Sequence, residues 1–322
     1  MMTLEPVDRV RLLSLAGDFA TCTERSRGPV HRLGNMFEAR RQTAPLGAHG
    51  LAFLVEVERG RASNTALFDC GLRGDVLRDN VRYLGVDLGR AETIFLSHGH
   101  PDHYGGLPAA LDLVGGRRPM PVMLHEAAFR ERCWTWPDFR GGSYRLERRI
   151  FRSRKTRLAV VPGPTPVLSG RALFLTNIPR PTRYERKRPG GQVLYRNGRG
   201  WQLDETPDDG ALVMNLRGRG LVILTGCGHA GLINTVRAAV SETGVARVHA
   251  LVGGFHLCHA PARRIRATIR DLRAYAPRWV IPSHCSGLEF EAALREAFAR
   301  GFALDSVGTE YVWTAPSRRD PA

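Results

Sequence analysis

Short apolar runs alternate with amphipathic stretches along most of this 322-residue chain. Leu51–Val57 and Thr65–Asp69 have the spacing of strands, and a helix is expected over Val76–Leu84. Thr93-Ile-Phe-Leu-Ser97 is short, apolar and β-branched, which predicts a buried strand running directly into His98. Gly105-Gly106 then opens a helix over Leu107–Leu113, and Pro121–Leu124 and Leu158–Val161 are further strands. Ala211–Leu216 and Leu221–Thr225 read as a hairpin over the turn Arg217-Gly-Arg-Gly220. Helices over Leu232–Val240, Arg264–Tyr275 and Glu289–Phe298 then interleave with strands over Val248–Val252 and Trp279–Pro282. Interleaved strands and helices imply sheets covered by helices, an α/β protein.

The pattern is least regular between about 126 and 210, where Trp134, Trp136, Tyr144, Tyr184, Tyr195 and Trp201 stand among many arginines. That stretch reads as an insertion or cap over a site, within a single domain spanning 1–322. Ser317–Ala322 reads as a loose tail.

The strand Thr93–Ser97 leads into four ligand-type residues within six positions: His98, His100, Asp102 and His103. Three imidazoles and a carboxylate suit zinc and similar first-row ions. A tight turn here sends His98 and His100 toward one ion and Asp102 and His103 toward a second. Further ligands are expected from later strand ends. Three segments share one form, an apolar run, then glycine or proline, then histidine: Thr225-Gly-Cys227-Gly-His229, Gly253-Gly-Phe-His256 and Pro282-Ser-His284-Cys285. His229 and His284 are the strongest of these. Cys227 and His256 are alternatives, since a buried thiol and a histidine contacting substrate fit the same positions. Loops at one sheet edge converge on one site.

Charge changes the picture less than its size suggests. The net charge is +16, yet only Lys155 and Lys187 are lysines among 47 basic residues. Such an arginine skew reads as coding bias more than selection for phosphate contacts. It still favours an anionic substrate, with Arg180 and Arg183 as candidates to receive its phosphate or carboxylate. No separate nucleic-acid module is visible. No apolar run reaches the length of a membrane span. The chain start lacks the pattern of a secretory leader, and the six cysteines are scattered, which predicts reduced thiols in a cytoplasm.

The run Leu96-Ser-His-Gly-His-Pro-Asp-His-Tyr-Gly-Gly-Leu107 resembles the signature of the metallo-β-lactamase superfamily. Other segments resemble the subgroup named for 7,8-dihydropterin-6-methyl-4-(β-D-ribofuranosyl)-aminobenzene-5′-phosphate synthase. They are Phe68-Asp-Cys-Gly71, Asn80 to Leu88, Ile178-Pro-Arg180, Asp208-Asp209, Gly226 to Asn234, Gly253 to Leu257 and His284 to Gly287. The resemblance implies an αββα sandwich with two divalent metal ions at one sheet edge, Zn2+ first, with Fe or Mn as alternatives. It assigns His98, His100 and His229 to one ion, and Asp102, His103 and His284 to the other. Asp69 matches an aspartate that orders the metal loops. Many members bridge the ions with an aspartate after Thr-Gly, where this chain has Cys227, so the bridge is open between Cys227, His256 and hydroxide.

The function expected is metal-dependent hydrolysis of a small anion, such as a phosphoester or lactone, with Asp102 and His103 as catalytic residues. Asp102 would orient a hydroxide and accept its proton. The alternatives are a pterin-related synthase, on which Trp134, Trp136 and Tyr184 would stack a ring, although core packing is the favoured reading of these aromatics, and a non-catalytic or nucleic-acid-binding relative. The ligand set argues against the last. Oligomeric state is left open.

Overall fold

The strands predicted around the histidine segments belong to two sheets packed face to face. The structure, a computed structural model, describes residues 2–39, 43–115, 119–136, 138–152, 156–186 and 191–316. The tail 317–322 lies outside the described residues.

The first sheet has eight strands, in the order Val30–Arg32, Thr309–Thr314, Arg9–Ala16, Ala52–Arg59, Ala62–Phe68, Thr93–Phe95, Met120–Leu124 and Thr156–Val160. The second has six, in the order Thr165–Val167, Ala172–Leu175, Ala211–Leu216, Gly220–Thr225, Val248–Gly254 and Trp279–Ser283. Each sheet is antiparallel at one side and parallel at the other. The parallel strands are the continuous apolar runs, because both of their faces are covered. Val248–Gly254 is buried at every position.

Alternate residues of each sheet point into a shared core. Phe53, Val55, Phe68 and Phe95 of the first sheet meet Phe174, Leu212, Leu224 and Val252 of the second. The opposite face of the first sheet carries the helices Gly74–Leu84 and Leu107–Leu113. The opposite face of the second carries Leu232–Thr243, Ala262–Ala274 and Leu288–Ala297. The result is the αββα sandwich expected. No helix among the described residues is long and apolar enough to cross a membrane.

Two expectations need correction. The stretch 126–210 is not one inserted block. A separate four-stranded sheet forms from Arg132–Trp136, Phe139–Tyr144, Gln192–Asn197 and Gly200–Leu203. Between its halves, Thr156–Val160, Thr165–Val167 and Ala172–Leu175 return to the two main sheets. Within and beside the separate sheet, Arg130 lies over Tyr195 and Arg140 over Trp201. The strands Arg9–Ala16 and Thr309–Thr314 were not foreseen. They pair with each other, and Arg11 of the first forms ion pairs with Glu56 and Glu310.

Candidate metal centre

The parallel strands of both sheets end at the same edge, and each hands its next residues to one pocket. Asp69 follows Phe68, Ser97 and His98 follow Phe95, Cys227 and His229 follow Thr225, and His256 and His284 follow the last two strands. The carboxyl edge of parallel strands, where the chain turns away, is where α/β folds place ligands. Asp69, His256 and His284 hold left-handed backbone conformations at φ 58°, 45° and 50°. Such strain in non-glycine residues clusters at functional sites.

Asp69 is fully buried and organises the first histidine loop. Its Oδ1 accepts the Ser97 backbone N–H at 2.7 Å, and its Oδ2 accepts the Ser97 hydroxyl at 2.7 Å and His103 Nδ1–H at 2.6 Å. Ser97 Oγ lies 2.9 Å from His98 Nδ1. Since the Ser97 proton goes to Asp69, that network assigns the Nδ1–H tautomer to His98. The Nε2 lone pairs of His98 and His103 are thereby turned toward the pocket. A carboxylate that fixes the tautomer of histidines in this way is the usual outer support of a metal site.

The resemblance groups His98, His100 and His229, and the structure brings them together. His98 Nε2 is 3.0 Å from His100 Nδ1 and 3.1 Å from His229 Nε2, and the last two are 3.2 Å apart. Burial, with His103 and His100 adding to it, holds His98 well below the ordinary histidine pKa. A neutral imidazole is the form that ligates. The trio is of a size to hold one ion.

A second group contains Asp102, His103, Cys227 and His284. Asp102 Oδ2 is 3.1 Å from His284 Nε2 and 3.9 Å from His103 Nε2, and His103 Nε2 is 3.1 Å from Cys227 Sγ. Burial opposes the charge of Asp102, but His103 and hydrogen bonds from His284 and His49 outweigh it and hold the carboxyl well below its usual range. Burial, with Cys285 beside it, pushes the Cys227 thiol up, so it needs a nearby cation to become a thiolate. His256 falls into a different group, with Cys227 and Cys285, its ring centroid 4.3 Å from that of His229.

Three contributors had no clear sequence signal. Asp18 accepts from His284 Nδ1 at 3.2 Å and from the Gly50 N–H at 3.1 Å. It lies 266 residues from His284, in a loop without a motif. His49 stands between two carboxylates, 3.3 Å from Asp18 and 3.3 Å from Asp102. Bonds to Asp102 and Asp18 raise its pKa to about 9. Arg132 is the third. Wholly buried, it donates to Asp204 and Asp208 at 2.6 Å each, while Asp208 accepts the Gly99 N–H at 2.8 Å between His98 and His100.

The pocket has a volume of about 190 Å³. His100, Asp102, Cys227, His229, His256 and His284 face it, and Trp134, Trp136 and His259 form its outer wall. Cys285 also faces it.

The arginines expected at the substrate do not face the pocket. Arg180 donates to the carbonyls of His229, at 2.7 Å, Glu205 and Thr206, so its guanidinium is engaged in bracing the His229 loop. Arg183 is exposed, at the start of a short 3-10 turn Arg183–Glu185. In line with core packing, the favoured reading over stacking on a ring, Tyr184 donates to Asp271 at 2.7 Å and packs against the second sheet's helices.

Comparison with known proteins agrees with the fold. The model of the metallo-beta-lactamase superfamily matches residues 47–184. A Methanocaldococcus jannaschii protein named 7,8-dihydropterin-6-methyl-4-(beta-D-ribofuranosyl)-aminobenzene-5'-phosphate synthase is 27% identical over 307 residues, covering 94% of this chain and 96% of its own. An uncharacterized protein of the same organism is 28% identical, covering 81% of this chain and 91% of its own. A crystal structure described as a metal-dependent hydrolase of the beta-lactamase superfamily superimposes with a TM-score of 0.70 at 22% identity, over 95% of this chain and 99% of that one.

Proposed function

We propose that this chain, whose residues 47–184 match the model of the metallo-β-lactamase superfamily, is a metal-dependent hydrolase acting on a small anionic substrate at two adjacent divalent ions. The observation that carries this reading is the buried trio of His98, His100 and His229, with ligand nitrogens 3.0–3.2 Å apart and His98 locked in its Nδ1–H tautomer. Like atoms at that spacing fit a shared cation far better than they fit one another.

In this reading His98, His100 and His229 would hold one ion and Asp102, His103 and His284 the other, with Cys227 completing the second set. The presence of a thiol favours Zn2+ over Mn2+. Divalent ions so bound acidify water to a pKa of about 7 and polarise a phosphoryl or carbonyl oxygen. Asp102, kept ionised by His103, His284 and His49, would accept the proton of the attacking water. Asp69 and Ser97 keep the histidine rings from turning, and Asp18 does the same for His284. Trp134 and Trp136 exclude water from one side. A pocket of about 190 Å³ suits a small substrate or the reacting end of a larger one.

A second reading has its own support. The relative named as a pterin-phosphate synthase aligns over nearly the whole of both chains. The indole of Trp134, 5.1 Å from His100, offers a flat face beside the ligand trio. In that case the ions would bind phosphate oxygens of a pterin partner while the tryptophans stack the ring.

Metal content by elemental analysis, on protein purified without a histidine tag or chelator, tests the first premise. About two ions per chain are expected, falling in Asp102→Ala. A chain that cannot be loaded with zinc, iron or manganese would end the catalytic reading. A thermal-shift series with phosphodiesters, lactones and pterin phosphates then separates the two readings. Stabilisation confined to pterins selects the synthase.

A further inference from the structure

Away from the metal centre, the loop Phe19–Arg27 and the end of the helix Leu288–Ala297 enclose a groove of about 730 Å³. Arg25, Arg27, Arg32 and Arg295 line it, against Glu24 as the one carboxylate among its described lining residues. Among the described residues, none of these arginines forms an ion pair with a carboxylate, although Glu38 lies near enough to feel Arg25 and Arg32. Elsewhere this chain pairs its arginines freely, as at Arg11, Arg132 and Arg217. Arg25, Arg27 and Arg295 are exposed, with Arg27 also donating to the Phe302 carbonyl, so the groove carries an excess of positive charge that an anion would complement.

Arg32 makes this more than a basic surface. It is 7% exposed. Its Nη1 donates to Thr309 Oγ1 at 2.7 Å and its Nη2 to the Leu304 carbonyl at 3.0 Å, so the guanidinium is held in place. Its Nε–H is buried with no hydrogen-bond partner among the described residues. Arg32 therefore contributes fixed positive charge beside the groove rather than free donors. The walls are also pinned. Thr21 N–H donates to Ser306 Oγ at 2.9 Å, Val307 N–H to the Phe19 carbonyl at 2.8 Å, and Arg32 N–H to Ser26 Oγ at 2.9 Å. Apolar surface comes from Phe19 and Phe302, with Arg295 over the Phe302 ring at 5.9 Å.

We propose that this groove is a second binding site, for a phosphorylated small molecule whose phosphates meet the arginines and whose apolar part lies on Phe19 and Phe302. Guanidinium forks match phosphate oxygens in charge and geometry, and aromatic faces accept a flat ring. The proposal stands independently of the reaction at the metal centre.

The test is calorimetric titration of the full chain with ADP and with pyrophosphate at about 0.15 M salt, where weak surface attraction is screened. Saturable binding that persists in Asp102→Ala is expected. The double reversal Arg25→Glu/Arg295→Glu should weaken it roughly tenfold or more. Ala299→Trp, which fills the groove without changing charge, should do the same. Arg263→Glu, an exposed reversal on another helix, should leave it within about twofold. ADP binding more tightly than pyrophosphate supports the role of Phe19 and Phe302. Absence of saturable binding, binding unaffected by both groove variants, or equal loss in the Arg263→Glu control would overturn the proposal.

Discussion

Replacing Arg132 by methionine removes the cation on which two buried carboxylates depend. Arg132, Asp204 and Asp208 are all buried, and burial opposes the charge of Arg132 while Asp208 and Asp204 more than offset it and raise its pKa. Breaking a buried pair by deleting one partner costs about 3–5 kcal/mol. The lower end applies here. Asp204 keeps Arg130 at 3.0 Å and the Thr206 N–H at 2.8 Å, and Asp208 keeps the Gly99 N–H at 2.8 Å. A loss of about 3 kcal/mol is therefore expected. For a chain of 322 residues the unfolding entropy is about 0.7 kcal/mol/K, so Tm falls by about 4 °C. Arg132→Lys keeps the charge without the fork and should fall between. The site should also respond, because the Gly99 peptide that Asp208 holds joins His98 to His100. Metal affinity should drop about 10–100-fold, as for other losses of outer support. Urea unfolding and competition with a chromophoric chelator measure the two effects. A stability change under about 1 kcal/mol, or destabilisation as large in Arg132→Met/Asp208→Asn as in the single variant, would refute the account of an unpaired buried charge.

Other perturbations follow from the same structure. Ser97→Ala cuts the link from Asp69 to His98, and metal affinity should fall about 10–100-fold while the circular dichroism spectrum is retained; unchanged affinity would show that His98 is oriented by other contacts. Gly253 has φ +114°, and a Cβ there would sit 2.1 Å from the Thr225 carbonyl, so Gly253→Ala should cost about 3 kcal/mol or more. At Gly60, φ +58° with open space around it, alanine should cost about 1 kcal/mol; equal urea midpoints for the two variants would contradict this. Burial, then Arg219, Arg247 and Arg278, push His249 down to a pKa of about 4. Unfolded histidine protonates near about 6.5, so between these values the unfolded chain binds more protons. The His249 contribution is thus complete above pH of about 6.5 and is lost as pH falls toward about 4, by up to about 3 kcal/mol. His249→Gln should flatten the stability profile in that window, and an unchanged slope would assign the acid sensitivity elsewhere.

The metal segment was legible because its information is local. A buried strand, then His98, His100, Asp102 and His103 within one turn, states both the candidate ligands and their exit from a sheet. His229 and His284 were legible for the same reason, each placed just past an apolar run. The helices Gly74–Leu84 and Leu107–Leu113 also follow from residues close in the chain. What the sequence left out is pairing between distant segments. Arg9–Ala16 is a strand because Ala52–Arg59 and Thr309–Thr314 flank it, and Asp18 enters the site because that strand ends beside His284. Arg180 was legible as a charge, but its use was not, since three carbonyls that only the fold brings near it take up its donors. The cap was visible as a break in periodicity, yet its limits depend on which strands the main sheets reclaim. Local spacing thus determined the candidate ligand types, the helices and the parallel strands. Tertiary structure decided which carboxylate orients which histidine, which arginine is spent on the fold, and which is left facing a cavity, because those outcomes depend on burial and on partners far away along the chain.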